Sequence, residues 1–142
     1  MPKVKSQKKN PEDVIKKRRN LKNNRKRGCD FERKIAQELR ELGYTGVKTA
    51  RAESKSMDDK KVDLVDTDGK LPFYCQLKAT LKTPDYFGIR KECPLVDKPF
   101  IIFWKKTKPT TSTFRSEGEL VMLDKEYFYK LLKYYETVQS NI

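Results

Sequence analysis

The sequence contains no histidine and has three cysteines among its 142 residues. Without histidine, catalytic systems of the Ser–His and Cys–His type, HNH-type nuclease sites and the usual His-containing zinc sites are excluded. The cysteines, Cys29, Cys75 and Cys93, are far apart and form no CxxC pair, so neither a disulfide framework nor a zinc cluster is predicted. Catalysis by this chain must therefore use carboxylates, amides and lysine.

Long apolar runs are also missing. No uninterrupted apolar stretch approaches the roughly 20 residues of a membrane span, and the N-terminus lacks the apolar stretch of a signal peptide. We therefore expect a soluble cytoplasmic protein with no membrane partner. The length predicts one compact domain with a real hydrophobic core.

Positive charge is in large excess, with 33 Lys and Arg against 20 Asp and Glu, a formal net charge of +13. Twelve of the basic residues lie within residues 1–27, against Glu12 and Asp13. Such a stretch cannot bury itself, so we predict a flexible basic arm over residues 1–27 and a folded domain over residues 28–142. Asn10 and Pro11 are typical of a helix start, which predicts a short helix within the arm.

A basic arm of this kind indicates a polyanionic partner, because neutralising phosphates releases counterions from DNA or RNA. A solubilising tail and a nuclear-localisation signal have the same composition and remain alternatives. The predicted phosphate contacts of the arm are Lys16, Lys17, Arg18, Arg19, Arg25, Lys26 and Arg27.

Hydrophobic spacing predicts an α/β (α+β) chain with a mixed central sheet flanked by helices. Phe31, Ile35, Leu39 and Leu42 form a helical stripe that stops at Gly43. Strands are predicted over residues 47–51, 62–65, 73–78, 100–104 and 119–123, with a polar loop over residues 53–61. The second and third strands, joined by a short Asp-Gly turn, are expected to pair antiparallel.

The last predicted element is a helix with Asp124 as its N-cap. One face of this helix is apolar and carries Tyr127, Phe128, Leu131, Leu132, Tyr135 and Val138. We predict that this face packs in the core. The alternative is an aromatic platform on which nucleic-acid bases stack.

Four polar residues lie where the predicted elements face one another. Glu32 falls inside the apolar arc of the first helix, where an unpaired charge costs several kcal/mol. Taken alone it favours a structural ion pair. Asp63 interrupts the second strand, and Gln76 and Lys78 project from one face of the third.

Together these residues suit phosphodiester hydrolysis, which needs an activated water and positive charge near the phosphoryl oxygens. Asp63, the amide oxygen of Gln76 and the backbone carbonyl of Leu77 are suitable Mg²⁺ or Mn²⁺ ligands, and Glu32 would bind directly or through water. Lys78 would position the attacking water and stabilise charge in the transition state. The predicted catalytic set is Glu32, Asp63, Gln76 and Lys78.

The pattern resembles the PD-(D/E)xK nuclease superfamily, and within it the archaeal and phage Holliday junction resolvases. The motifs that carry the resemblance are Gly28-Cys29-Asp30-Phe31-Glu32-Arg33, Gly43-Tyr44, Arg51-Ala52-Glu53-Ser54-Lys55-Ser56, Val62-Asp63-Leu64-Val65 and Gln76-Leu77-Lys78. The resemblance implies a restriction-endonuclease-like fold. It also implies a homodimer that cuts branched DNA with Mg²⁺ in a bacterial, archaeal or phage-infected cell.

Two features depart from the family pattern. Gln76 stands where an acidic residue is usual, which predicts weaker metal binding because the site has one negative charge fewer. The segment from Arg51 to Ser56 only approximates the arginine-and-serine pattern of resolvases. Arg51, Ser54, Lys55 and Ser56 are therefore either DNA contacts or parts of a polar linker. The supplementary phosphate contacts considered are Lys34, Lys48, Lys60, Lys61 and Lys82.

The alternatives are another nuclease of the superfamily, with restriction-like, repair or flap-cutting activity, and a non-catalytic nucleic-acid-binding protein in which Gln76 marks a decayed site. An RNA-associated basic protein is a third. It would account for the charge, but it would leave Glu32, Asp63 and Lys78 unexplained.

Overall fold

The structure of the chain is a computed structural model that describes residues 10–109 and 114–141, with side chains except at 16–21 and 114. The elements, in chain order, are α1 (Pro11–Glu41), β1 (Val47–Thr49), α2 (Ala50–Glu53), α3 (Lys55–Asp59), β2 (Leu64–Asp66), β3 (Tyr74–Thr80), α4 (Tyr86–Glu92), β4 (Phe100–Pro109), β5 (Phe114–Met122) and α5 (Lys125–Ser140). The chain is therefore mixed α/β, as predicted.

The first helix, α1, is continuous over 31 residues. Asn10 is its N-cap, and the Asn10 side chain accepts a hydrogen bond from the Glu12 N–H at 3.1 Å. The predicted start is confirmed, but the helix is not short, because it continues through the predicted arm boundary at residues 27/28. It stops before Gly43, whose φ of 111° suits glycine. Residues 1–9 of the predicted arm lie outside the described residues.

The strands form two small sheets. β1 and β2 pair antiparallel, while in the second sheet β3 lies parallel to β4 and β4 lies antiparallel to β5. The predicted mixture of parallel and antiparallel pairing is confirmed in the second sheet, but the described strands do not form the single central sheet that was predicted. The predicted β2–β3 hairpin is wrong, because β2 pairs with β1 and β3 pairs with β4. A hydrogen bond of 2.9 Å from the Asp63 N–H to the Cys75 carbonyl links the two sheets.

Two hydrophobic cores cover the two faces of β3 and β4. On one face, α1 packs Phe31, Ile35 and Leu39 against Cys75 and Leu77. The opposite core is built around four buried residues and the partly buried side chains of α3 and α4: Val62, Cys93, Phe100, Ile102, Met57, Tyr86 and Ile89. The prediction that the apolar segment at 100–104 is covered on both faces is confirmed, because alternate residues of β4 enter different cores.

The segment between β1 and β2 differs most from the prediction. The first strand ends at Thr49, so Arg51 lies in the short helix α2, and much of the predicted loop is α3. Ser54 explains this difference, because its hydroxyl accepts a hydrogen bond from the Met57 N–H at 3.3 Å and caps α3. Asp63 directly precedes β2 rather than lying within it.

The predicted N-cap of α5 is confirmed, because the Asp124 carboxylate accepts a hydrogen bond from the Tyr127 N–H at 2.8 Å. The predicted packing of its apolar face is wrong. Tyr127 packs against the core, but the rest of that face is exposed to solvent. We call these exposed residues the α5 face: Phe128, Leu131, Leu132, Tyr135 and Val138.

Among the described residues, none of the helices combines the length and the apolar character that crossing a membrane requires.

Candidate active site

Asp63 lies at the free edge of β3. Its backbone N–H donates to Cys75, and its Oδ2 accepts a hydrogen bond of 2.8 Å from the Leu77 N–H. The Ala50 N–H donates to the Asp63 carbonyl at 2.8 Å, which ties α2 to the same point. Asp63 therefore completes the edge of β3 with its side chain, and the orientation of its carboxylate is fixed by the backbone.

Burial raises the pKa of Asp63 above its ordinary range, although the hydrogen bond from Leu77 and the positive charge of Lys78 oppose the change. The side chain of Lys78 thus lies close enough to act on the Asp63 carboxylate.

Glu32 faces Asp63 from α1. Only 8% of its surface is exposed, and burial together with the negative charge of Asp63 raises its pKa to about 7. Its Oε1 lies 3.5 Å from Nη2 of Arg51, the ion pair expected for a buried carboxylate. The guanidinium of Arg51 also donates a hydrogen bond of 2.9 Å to the Cys29 sulfur. This single, long ion pair does not offset the cost of burial, because the pKa of Glu32 stays raised.

The sequence analysis missed Asp58. The negative charge of this α3 residue raises the pKa of both Glu32 and Asp63, so it contributes to the acidic surroundings of the site. The signal that could have found it is Ser54. As an N-cap, Ser54 predicts a helical turn that carries Asp58 toward the sheet, but the interpretations of Ser54 from the sequence were a DNA contact or part of a polar linker.

Gln76 and Lys78 project from β3 on the face opposite Cys75 and Leu77, and they lie about 7 Å apart along the strand. Gln76 is 6% exposed, and its Oε1 is a buried oxygen without a hydrogen-bond partner in the described part of the chain. A buried polar atom without a partner costs about 1–3 kcal/mol. This is the amide oxygen that the sequence analysis proposed as a metal ligand.

The Leu77 carbonyl is directed to the same strand edge as Asp63. The N–H and C=O of one strand residue point to the same side, and the Leu77 N–H is bonded to Asp63. The Leu77 carbonyl therefore lies on the same strand edge as the Asp63 carboxylate, which interacts electrostatically with Glu32 and Lys78. Gln76 lies on β3 between Cys75 and Leu77, the two residues that Asp63 hydrogen-bonds. We call Glu32, Asp63, Gln76 and Lys78 the edge site.

The chemistry of the edge site fits a hard divalent cation. Its acceptors are two carboxylates whose pKa values are raised by burial and an amide oxygen that lacks a donor. In the described residues no three acidic or thiol side chains come together as a ready metal site. The amide oxygen of Gln76, the Leu77 carbonyl or water would therefore have to complete the coordination.

A groove of about 540 Å³ lies beside Lys78, between the middle of α1 and the ends of β3 and β4. Its polar and charged lining residues are Asn24, Arg27, Lys78, Thr80, Lys82 and Thr107. The lining contains three cations and no carboxylate. The groove therefore offers positive potential that leads to the edge site.

The predicted arm contacts lie on α1. Arg25 and Lys26 are exposed, whereas the side chains of Lys16, Lys17, Arg18 and Arg19 lie outside the described residues. The guanidinium of Arg27 donates a hydrogen bond to the Asn24 side chain.

The remaining predicted DNA contacts divide into two groups. Lys55 and Ser56 are exposed at the start of α3, but Arg51 is engaged with Glu32 and Ser54 caps α3. Two supplementary lysines are also engaged. Lys34 pairs with Glu119 at 2.7 Å and Lys48 pairs with Glu53 at 3.6 Å.

Comparison of the chain with protein families, with curated proteins and with solved structures gave no match.

Proposed function

We propose that this chain is a metal-dependent endonuclease that hydrolyses DNA phosphodiesters, and that it acts as a homodimer on branched DNA such as four-way junctions. The observation that carries the proposal is the convergence of Glu32, Asp63 and Lys78 at the edge of β3. Burial raises the pKa of both carboxylates, and the charge of Asp63 raises that of Glu32 further, so the pair is costly for a protein without a cation to bind.

In this proposal Asp63, the Gln76 amide oxygen and the Leu77 carbonyl would hold Mg²⁺ or Mn²⁺, and Glu32 would bind it directly or through water. When bound, the ion would supply positive charge to the phosphoryl oxygens and activate water. The Leu77 N–H fixes the orientation of the Asp63 carboxylate, so this ligand is preorganised. The ammonium of Lys78 positions the attacking water and stabilises negative charge as it develops.

DNA as the substrate is supported by the charge distribution. Positive side chains line the groove beside Lys78, and exposed Arg25 and Lys26 lie on α1. Phosphate contacts of this kind position a strand without reading its sequence, which suits recognition of a branched shape. A junction has two equivalent strands to cut, so a two-fold pair of subunits is the matching assembly. Three free cysteines support action in a reducing compartment such as the cytoplasm.

A non-catalytic nucleic-acid-binding protein is the second candidate. It is favoured by Gln76, which leaves the edge site with one carboxylate fewer than the superfamily pattern. In that case the basic helix and groove would supply affinity and the edge site would hold no functional ion.

Cleavage assays on the full chain separate the two candidates. The substrates are a mobile four-way junction, a flap, a linear duplex and single-stranded RNA at one salt concentration, with Mg²⁺, Mn²⁺ or a chelator. We expect metal-dependent cutting, fastest on the junction. Asp63→Asn, which keeps an oxygen for the Leu77 N–H, and Lys78→Ala should each reduce the rate at least ~100-fold and leave DNA affinity unchanged.

Matched controls are Asp59→Asn and Lys91→Ala, both at exposed positions of neighbouring helices, and both should cut like the wild type. Tight binding of the junction without cutting in either metal would refute the endonuclease and leave the binding protein. Faster cutting of a flap or a linear duplex would support the endonuclease activity but contradict the four-way junction as its preferred substrate.

A further inference from the structure

An apolar face of α5 has no cover in the described chain. Its residues Phe128, Leu131, Leu132, Tyr135 and Val138 are between 40% and 61% exposed. Monomeric proteins rarely expose a continuous apolar patch of this kind, and one that exists usually marks an interaction site.

The spacing along the α5 face is that of a helix-pairing seam. Phe128, Leu131, Tyr135 and Val138 are separated by three, four and three residues, which is the a/d pattern of paired helices. Leu132 widens the seam on one side. An apolar seam on one helix can pack against the same seam on another helix. A second copy of this chain carries that second seam.

The patch continues onto the body of the protein. Phe128 shares a groove of about 490 Å³ with Phe87 and Val121, which are 69% and 43% exposed. Each half-exposed large side chain presents roughly 100 Å² of surface. The five residues of the α5 face, together with Phe87, Val121 and Tyr134, therefore present roughly 800 Å². A stable interface buries about 800 Å² on each partner, so the patch is large enough for a dimer.

Two segments outside the described residues are polar and poorly suited to cover this face. Residues 1–9 hold four lysines, and residues 110–113 are Thr-Thr-Ser-Thr. The charges on α5 are nearly balanced, with Lys125, Lys130 and Lys133 against Glu126 and Glu136, so the helix does not select a highly charged partner.

We propose that two copies of this chain associate through the α5 face, so that the two α5 helices pair and Phe87 and Val121 border the contact. The contact lies on a different element from the edge site. It rests on the homodimer of the proposed function and deepens it by naming the contact surface, which requires neither metal nor DNA.

Sedimentation and light scattering of the full chain, without DNA and in a chelator, test the proposal. We expect a dimer at micromolar concentration. Leu131→Glu should weaken association at least ~100-fold, because two buried charges face each other across a two-fold contact. Thr137→Glu is the matched control, since it adds the same charge to the exposed side of α5 and should leave the dimer intact.

Far-UV circular dichroism and thermal melting show whether each variant is folded. If Leu131→Glu does not fold, the milder pair Leu131→Ala with Tyr135→Ala replaces it, and it should also shift the chain to monomer. A monomeric wild type would overturn the proposal, as would a dimer that survives both seam variants. Monomers that bind anionic lipid vesicles through the α5 face would overturn it in favour of a membrane surface. A chain that dimerises but does not cut DNA would contradict the nuclease and keep the α5 contact, whereas a chain that cuts DNA while its seam variants stay dimeric would contradict the α5 contact alone.

Discussion

The edge site and the α5 face depart from the ordinary rules of a protein interior in opposite ways. At the edge site, carboxylates and an amide oxygen are buried with incomplete partners. On α5, large apolar side chains are exposed. Each arrangement costs free energy in the isolated chain, and a partner of opposite character would relieve each cost: a cation at the edge site and an apolar surface at α5.

The comparison also separates the folded body from its last helix. Two hydrophobic cores, one on each face of β3 and β4, hold the body together. α5 contacts the first of these cores through Tyr127, near the start of the helix. Substitutions in the two regions should therefore affect different properties. Body substitutions should change the free energy of unfolding, and α5 substitutions should change association.

The largest expected effect comes from truncating the same residue type in both regions. Leu64→Ala removes a side chain that is 2% exposed and should lower the free energy of unfolding by about 3 kcal/mol. Leu132→Ala, at 44% exposure, should cost less than about 0.5 kcal/mol in dilute, monomeric protein. Urea titration followed by the fluorescence of Trp104, the one tryptophan, measures both. Similar losses for the two variants would show that α5 belongs to the body.

A smaller effect is expected from the raised pKa of Glu32. Its pKa is about 7 in the folded chain and about 4.5 when unfolded, so the folded state binds the extra proton between these values. The contribution of protonated Glu32 to the free energy of unfolding is therefore complete below pH 4.5, and it is lost as the pH rises to 7. The loss is on the order of 2 kcal/mol, after allowance for screening by solvent.

The measurement for Glu32 is the free energy of unfolding in a chelator from pH 4.5 to 8. Glu32→Gln should be more stable than the wild type above pH 7, and the difference should disappear toward pH 4.5. Glu38→Gln, at an exposed position of α1, is the control and should follow the wild-type curve. Parallel curves for Glu32→Gln and the wild type would mean that Glu32 ionises normally.

The sequence predicted the elements that have strong local signals. Asn10 and Asp124 are N-caps as expected, and the apolar run after Phe100 is a strand buried on both faces. Local signals failed where distant parts of the chain decide the outcome. Nothing in the sequence near β2 indicates that it pairs with β1.

The same limit applies to the two unusual regions. Helical periodicity predicted that Glu32 lies on the inner side of α1. It could not predict that Glu32 lies close to Asp63, because that distance depends on how α1 packs across the sheet. The apolar stripe of α5 was also readable. Periodicity shows that a face needs cover but not what covers it, so core packing was the wrong prediction.

Placing an acid at position 76 tests the edge-site half of the comparison. Gln76→Glu adds a third carboxylate beside Asp63, so the variant should be less stable than the wild type in a chelator. With three negative ligands it should bind Mg²⁺ about tenfold more tightly, equivalent to about 1.4 kcal/mol. The midpoint of the Mg²⁺-dependent rise in melting temperature measures this affinity.

Thr137→Glu is the control for this change, because it adds a negative charge at an exposed position of α5 away from the α5 face. Its Mg²⁺ midpoint should equal that of the wild type. If Gln76→Glu and Thr137→Glu respond identically to Mg²⁺, position 76 does not contact a bound ion, and the neutral amide of Gln76 has another cause.

The smallest expected effect is at the junction between the body and α5. Asp124→Ala removes the N-cap hydrogen bond to the Tyr127 N–H and should cost about 1 kcal/mol. Because α5 is held mainly at its first turn, this loss should fray the helix without loosening the cores. Helical ellipticity should fall while the urea transition of Trp104, whose indole donates to the Thr80 carbonyl, stays in place. A Trp104 transition shifted by the full 1 kcal/mol would instead show that α5 and the body unfold as one unit, and the contrast between the two regions would then be one of exposure alone.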